Sequence, residues 1–255
     1  MNEMKRFFVY QFLILFLIAL DSCKTDIYDI EMVHVTGGSF QMGSDAIEAD
    51  IDEQPIHTVN VKDFYLSKYE VTQGLWKAVM GHNPSYHKGF HRPVENVSWD
   101  DCQKFIEKLN RITGLSYRLP TEEEWEYAAC ASADNIREQN IASFAWCIDS
   151  FGSQKRRAST QNVGMLEPNS LGIYDLIGNV NEWCSNSYDS LSYKNGFSRE
   201  SDEKVFRGGC FANEMKFLRP ANRNHINRYT RHYTLGFRLA MDETIQTTSL
   251  RNLTD

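Results

Sequence analysis

Between residues 30 and 240 the chain carries few helical signals, and no repeat, low-complexity tract or Pro/Gly-rich linker divides the span. That sparseness constrains the fold more than any single motif, because short strands and long loops must organise most of the length. The clearest helix, VSWDDCQKFIEKLNRITG, opens on Ser98 as N-cap with Asp101 three residues on, close to a capping box. Trp99, Cys102, Phe105, Ile106, Leu109 and Ile112 follow at three- and four-residue spacing, and Gly114 stands where a C-capping glycine belongs. RLPTEEEWEYAACA predicts a second helix, capped by Thr121 with Glu124 completing the box and Glu122 to Glu124 loading the positive end of its dipole. A shorter third runs from Thr72 through Leu75, Trp76 and Val79 to Gly81. Carboxylates in such first turns start helices, and none is assigned chemistry. HTVNVKDFYLSKYEV alternates at Val59 and Val61 and then changes phase near Asp63-Phe64, as a β-bulge would make it do. GGSFQMGS, KVFRGG and GFRLAM are further strand candidates bordered by glycine. The expectation is one loop-rich α+β domain over residues 32–243, with few helices and short strands. A leader (1–22) and a tether (23–31) precede it, and a polar tail (244–255) follows.

Composition serves mainly to exclude. Of 255 residues, 42% are hydrophobic and 13% aromatic, enough for a sizeable core. A net charge of -7 sets aside general nucleic-acid binding, which needs a broad basic field. Against that acidic background four arginines fall between Arg219 and Arg231, a local anion-attracting patch. The N-terminal MNEMKRFFVYQFLILFLIALDSC sets Lys5 and Arg6 before an uncharged stretch from Phe7 to Leu20. As a helix that stretch is about 21 Å long, short of the roughly 30 Å hydrocarbon layer, and reads as an export signal rather than a permanent span. Leu20-Asp21-Ser22-Cys23 resembles a bacterial lipobox, whose cysteine is lipidated and becomes the first mature residue; Asp21 is unusual inside it. An exported lipoprotein of the bacterial cell envelope is expected, anchored to the membrane at Cys23 on the periplasmic face or the cell surface. The remaining Cys102, Cys130, Cys147, Cys184 and Cys210 form no CxxC or CxxxC pair, so no zinc site is suggested. They read as small apolar side chains.

Six stretches in order resemble the formylglycine-generating enzyme (sulfatase-modifying factor) domain family. They are MVHVTGGSFQMGS, PIHTVNVKDFYLSKYEVTQGLW, RPVENVSWDDCQKFIEKLN, YRLPTEEEWEYAA, EPNSLGIYDLIGNVNEW and VFRGGCFA…LRPANRN…GFRLA. The resemblance covers nearly all of the mature chain and implies a C-type-lectin-like fold. In the family's oxygen-dependent enzymes a copper(I)-binding cysteine pair follows the GG motif. The matching positions here hold Asn213 and Leu218, which cannot replace the two soft thiolates that Cu(I) prefers. Cys210 stands instead where the family commonly has the Ser of RGGS. No copper is expected and no catalytic residue is assigned. Other relatives are non-haem iron enzymes, but none of the seven histidines clusters on a predicted helix. The same resemblance implies a calcium site: Asp175 and Glu182 would offer carboxylate oxygens, and Gly178 and Val180 backbone carbonyls, the hard donors Ca²⁺ requires. Asn181 replaces the family's usual Trp inside that motif.

The segment from Asn213 to Tyr233 is then read as a binding face. Asn213, Arg223, Asn224, Arg228, Tyr229, Arg231 and Tyr233 are the ligand-binding candidates, since Arg and Tyr dominate good binding surfaces and Asn supplies adaptable hydrogen bonding. The arginines could hold a sulfate, carboxylate or phosphate bidentately. Arg207, Arg219 and Arg238 are read as structural. The expected function is a lipid-anchored, non-catalytic module for a protein partner or an anionic ligand. One alternative is a formylglycine-generating or non-haem-iron-type oxidoreductase. Another is a retroelement-diversified variable binding protein, because residues 207–238 also resemble the variable region of such proteins. Asn213, Asn222, Asn224, Asn227, Tyr229 and Tyr233 are residues that adenine mutagenesis of AAY codons produces.

Overall fold

The computed structural model describes residue 27 and residues 29–131, 141–196 and 198–243; the leader, Cys23 and the polar tail lie outside these. In chain order its main elements are β1 (Met32–Val35), β2 (Gly38–Met42), β3 (His57–Val61), β4 (Phe64–Ser67), α1 (Gln73–Met80), α2 (Trp99–Thr113) and α3 (Glu122–Cys130). There follow β5 (Asn181–Ser187), β6 (Glu203–Arg207), β7 (Asn224–Asn227), β8 (Leu235–Gly236) and β9 (Ala240–Asp242). Among the described residues no helix is long and apolar enough to cross a membrane.

The three helices begin where their caps predict. Thr72 Oγ1 accepts from Leu75 N, while Ser98 with Asp101 and Thr121 with Glu124 form reciprocal capping boxes. α1 and α2 end on Gly81 and Gly114, whose φ of 86° and 73° lie in the left-handed region. A side-chain cap contributes about 1 kcal/mol by giving an otherwise unpaired backbone N–H its acceptor.

The strands form three small sheets: β1-β4-β9, the β2-β3 hairpin, and β7-β6-β5-β8, in which β8 runs parallel to β5. Two strand expectations need correction. The phase change at Asp63-Phe64 is not a bulge, because β3 pairs with β2 whereas β4 pairs with β1 and β9. The chain crosses from one sheet to another there, and Asp63 Oδ1 accepts from Gly37 N at 2.8 Å across the crossing. A register shift does occur in β5, between Trp183 and Ser187. Nor is GFRLAM one strand. It splits into β8 and β9, and between them Arg238 turns fully inward.

Two apolar clusters fill the interior. In one, Trp76 stacks on Phe105 (centroids 5.1 Å apart, planes 4° apart), Phe237 meets both rings edge-on, and Trp183 is fully buried. The other surrounds Trp125 with Phe64, Leu66, Val205 and Leu218. Cys102, Cys147, Cys184 and Cys210 are buried, Cys130 is half-buried, and all five are free thiols.

Candidate functional site

At Gly208 and Gly209, φ is +97° and +70°, a conformation that L side chains seldom adopt. This left-handed turn takes the chain off β6 and sets Cys210 on the wall of a cleft of about 430 Å³. Asn181, Asn213, Asn222, Asn224, His232 and Thr234 supply its polar lining, and Phe206, Phe217 and Tyr233 apolar surface. Cys210 is 3% exposed. Its backbone N and its Sγ both donate to Asn213 Oδ1, at 2.9 and 3.0 Å. Burial pushes the Cys210 thiol up, against the opposing pull of hydrogen bonds from the Ala212 backbone and the Thr234 and Asn181 side chains. The other polar groups are tied to one another: Asn224 Nδ2 donates to Asn222 Oδ1 (2.9 Å), Asn181 Nδ2 to Thr234 O (3.3 Å), and His232 Nδ1 lies 2.7 Å from Thr234 Oγ1. No carboxylate and no guanidinium belongs to the lining.

Of the residues expected to bind ligand, Asn213, Asn224 and Tyr233 line this cleft, and the others do not. Arg223 is 4% exposed, gives Nε and Nη2 to Glu122 (2.7 and 3.0 Å) and Nη1 to Asp52 O, and lies over the Tyr193 ring at 4.1 Å. Arg228 Nε donates to Asp100 Oδ1 at 2.7 Å over the Trp99 ring, and Arg231 holds Asp101 bidentately at 2.6 and 2.9 Å. Arg219 grips Glu53 with two bonds of 2.7 Å. Tyr229 is exposed outside the cleft lining. The basic patch visible in the sequence is therefore neutralised, one carboxylate to each arginine. Asn181, His232 and Thr234 are polar cleft residues that sequence reasoning did not select, and Asn222 entered only among the codon-diversifiable positions. Their one local signal was the Asn at position 181, where the family pattern has Trp.

Arg207 and Arg238 are fully buried. Arg207 reaches Glu126, and Arg238 binds Glu182 through Nε and Nη2, each at 2.7 Å. Arg238 also donates to Ser67 O and Tyr174 O. Glu182 accepts a further bond from Trp125 Nε1 at 2.8 Å. Glu70 and Asp175 lie in the same buried neighbourhood. Glu70 accepts from Asn179 Nδ2 (2.7 Å) and Val180 N (3.2 Å), and Asp175 Oδ2 accepts from Gly164 N (2.7 Å). Burial is the largest cause raising Asp175 to about 6 and Glu70 well above the carboxylate range; for both, Glu182 adds to the rise and Arg238 opposes it. Three buried carboxylates thus face one guanidinium. Both Glu182 oxygens are taken by Arg238 and Trp125, and Asp175 Oδ2 by Gly164 N, so the residues expected to hold calcium, Asp175, Gly178, Val180 and Glu182, offer oxygen donors of the right type but do not converge on one point. Gly178 has φ +87°, and a Cβ there would sit 2.5 Å from Trp146 O. Copper(I) does not fit the cleft, because Cys210 is the one sulfur in the lining and two soft donors are required.

A family model described as sulfatase-modifying factor enzyme 1-like domain matches residues 23–243. Chaperone protein LppX of Paenibacillus barcinonensis is 31% identical over 204 residues, covering 60% of this chain and 70% of that protein. The serine/threonine-protein kinase pkn1 of Chlamydia pneumoniae is 29% identical over 251 residues, 82% of this chain but 38% of the kinase. Among solved structures, PvdO from Pseudomonas aeruginosa superposes with a TM-score of 0.72 at 28% identity. Treponema denticola variable protein 1 does so with a TM-score of 0.71 at 27% identity, and each match covers 83% of this chain and 94% of the other. The fold is accordingly that of a C-type-lectin-like domain, and the chain belongs to the sulfatase-modifying factor enzyme 1-like family.

Proposed function

We propose that this domain is a non-catalytic binding module whose cleft takes an uncharged polar ligand. The observation that carries the reading is the lining: four asparagines, a threonine, a histidine and one thiol, without a carboxylate or guanidinium. Amides donate and accept together, as hydroxyl- and amide-bearing ligands require. An anion would find no free countercharge there, because Arg219, Arg223, Arg228 and Arg231 are each paired. A relative named as a chaperone supports a role outside catalysis. Anaerobic titration with copper(I) and with iron(II) tests the reading. Neither metal should be retained in the cleft, and one equivalent held by the native chain but lost in Cys210→Ala would overturn it.

The second reading, a retroelement-diversified binding protein, draws on the similarity to a structure named variable protein 1. It also draws on Asn213, Asn222, Asn224 and Tyr233, codon-diversifiable residues that all line the cleft. A reverse transcriptase gene beside a near-identical template repeat would establish it, and an empty neighbourhood would end it. For location, the reading is export to the bacterial cell envelope with a lipid on Cys23; labelling with a fatty-acid analogue, abolished in Cys23→Ala, is the expected result. Calcium is the proposed structural ion at Asp175, Gly178, Val180 and Glu182. Its addition should raise the melting temperature of the native chain but not of Asp175→Ala.

A further inference from the structure

His34 on β1, Asp63 at the crossing before β4, and Glu243 directly after β9 come together at one end of the β1-β4-β9 sheet. His34 Nε2 lies 3.5 Å from Glu243 Oε1 and 4.0 Å from Asp63 Oδ2, and the three ligating atoms all fall within 4.8 Å of one another. Those separations are too long for hydrogen bonds. A plain histidine–carboxylate pair in this same protein closes to 3.0 Å, between His225 and Glu203. Nitrogen and oxygen donors around one tetrahedral ion at about 2.1 Å stand about 3.4 Å apart, so the His34–Glu243 spacing is that of two ligands. The His34–Asp63 spacing needs only a small side-chain rotation to match.

His34 and Asp63 are held by groups outside the triad, and Glu243 adjoins a residue that is. The His34 ring packs edge-on against Tyr65 at 5.1 Å, opposite it across the β1–β4 ladder. Asp63 has one oxygen engaged by Gly37 N at 2.8 Å, which leaves Oδ2 toward His34. Gly37 makes that bond possible, since a Cβ there would collide with the Val61 carbonyl. Glu243 follows Asp242, whose carboxylate is fixed by Arg118 Nε and Nη2 at 2.9 and 2.7 Å. The triad is 39–47% exposed, and Asp63 and Glu243 also line a groove of about 730 Å³ with Glu123, Glu124 and Asp242. Five carboxylates face Lys62 in the lining, and Arg118 pairs with two of them, Glu124 and Asp242, which leaves a net negative field that favours cations.

We propose that His34, Asp63 and Glu243 form a zinc-class divalent metal site, distinct from the cleft and from the Asp175–Glu182 segment. One imidazole with two carboxylates suits zinc, or nickel and copper(II) in their affinity order, and disfavours calcium and magnesium. Three protein donors leave a coordination position open toward the groove. The imidazole binds metal only as the neutral ring, so protons compete with the metal for it.

The test uses the untagged full chain in detergent, titrated calorimetrically with zinc chloride at pH 7.5 in millimolar calcium, with bound metal counted by mass spectrometry after dialysis. One zinc equivalent is expected, weakened at least tenfold by His34→Phe, which keeps a ring against Tyr65, and by Glu243→Gln. Cys210→Ala should leave it unchanged, separating this site from the cleft. Absence of stoichiometric zinc, or native affinity in either His34→Phe or Glu243→Gln with an unaltered melting temperature, overturns the proposal. Should one variant melt early, cobalt(II) absorption of the native chain decides: a d–d band displaced by zinc supports the site, and none refutes it.

Discussion

Glu95 sits fully buried behind the cleft wall. Its Oε1 accepts from His87 N at 2.6 Å, while Oε2 has no hydrogen-bond partner among the described residues. His87 Nδ1 lies 3.6 Å from Oε1, equally unpartnered, and its ring touches Phe211 at 5.0 Å and Tyr233 at 5.9 Å. Burial, the dominant cause, lifts Glu95 from 4.5 to about 7 against the opposing pull of backbone N–H groups and Lys88. The folded carboxyl therefore keeps its proton in a window where the unfolded chain has lost it. Its contribution is full below about pH 4.5 and is lost as pH rises through about 7. A rise of about 2.5 pH units corresponds to about 3 kcal/mol. Glu95→Gln keeps an acceptor for His87 N and cannot ionise, so it should lack this dependence. His87, pushed down by burial and by Arg92, titrates in both proteins and largely cancels in the comparison. Urea unfolding from pH 4.5 to 8.5 should show the variant gaining about 3 kcal/mol on the native chain across that range, or roughly 6–12 °C in melting temperature. Parallel pH profiles would refute the argument, because they would mean the carboxyl finds compensation that the buried Oε2 does not show.

Three further outcomes follow from the same geometry. Arg238→Met strips Glu182 of two of its three bonds and should cost about 3–5 kcal/mol in urea unfolding; a loss below 1 kcal/mol would contradict the burial of that pair. Arg228→Ala and Arg231→Ala should each change stability by less than about 1 kcal/mol, since their partners lie at a solvated helix start. Cys210 should react with iodoacetamide at pH 7.5 at least tenfold more slowly in the folded chain than in urea, because burial both shields the sulfur and disfavours its thiolate. Rapid labelling would place the thiol in the open cleft.

The parts of this fold written locally were readable. A cap and its N3 partner are three residues apart, so Ser98–Asp101 and Thr121–Glu124 announce themselves, and glycines at 81 and 114 mark where α1 and α2 stop. The cleft was only partly legible, because its polar side chains arrive from β5, from the loop ahead of β7, from β7 itself and from the turn ahead of β8. The arginines misled for the same reason. Four of them crowd one stretch, yet their partners are Glu53, Asp100, Asp101 and Glu122, remote in sequence. Three of those partners occupy helix first turns. A carboxylate that favours a helix start can also neutralise a guanidinium, and chain order gives no hint of which arginine it will meet. The segment proposed to hold calcium was legible in its residue types, but the nearby Glu70 and the single facing Arg238 appear only in three dimensions.

The first sheet is closed by the last strand among the described residues: β4 lies between β1 and β9, with Leu66 opposite both Val33 and Ala240. A ribosome delivers this polypeptide from its N-terminus, so the first two of those strands must wait for nearly the whole domain before the third is available. Until residue 240 emerges, β4 offers a bare edge to any neighbouring strand. A nascent chain of this design needs an escort, or a fast finish, at the step where its two ends meet.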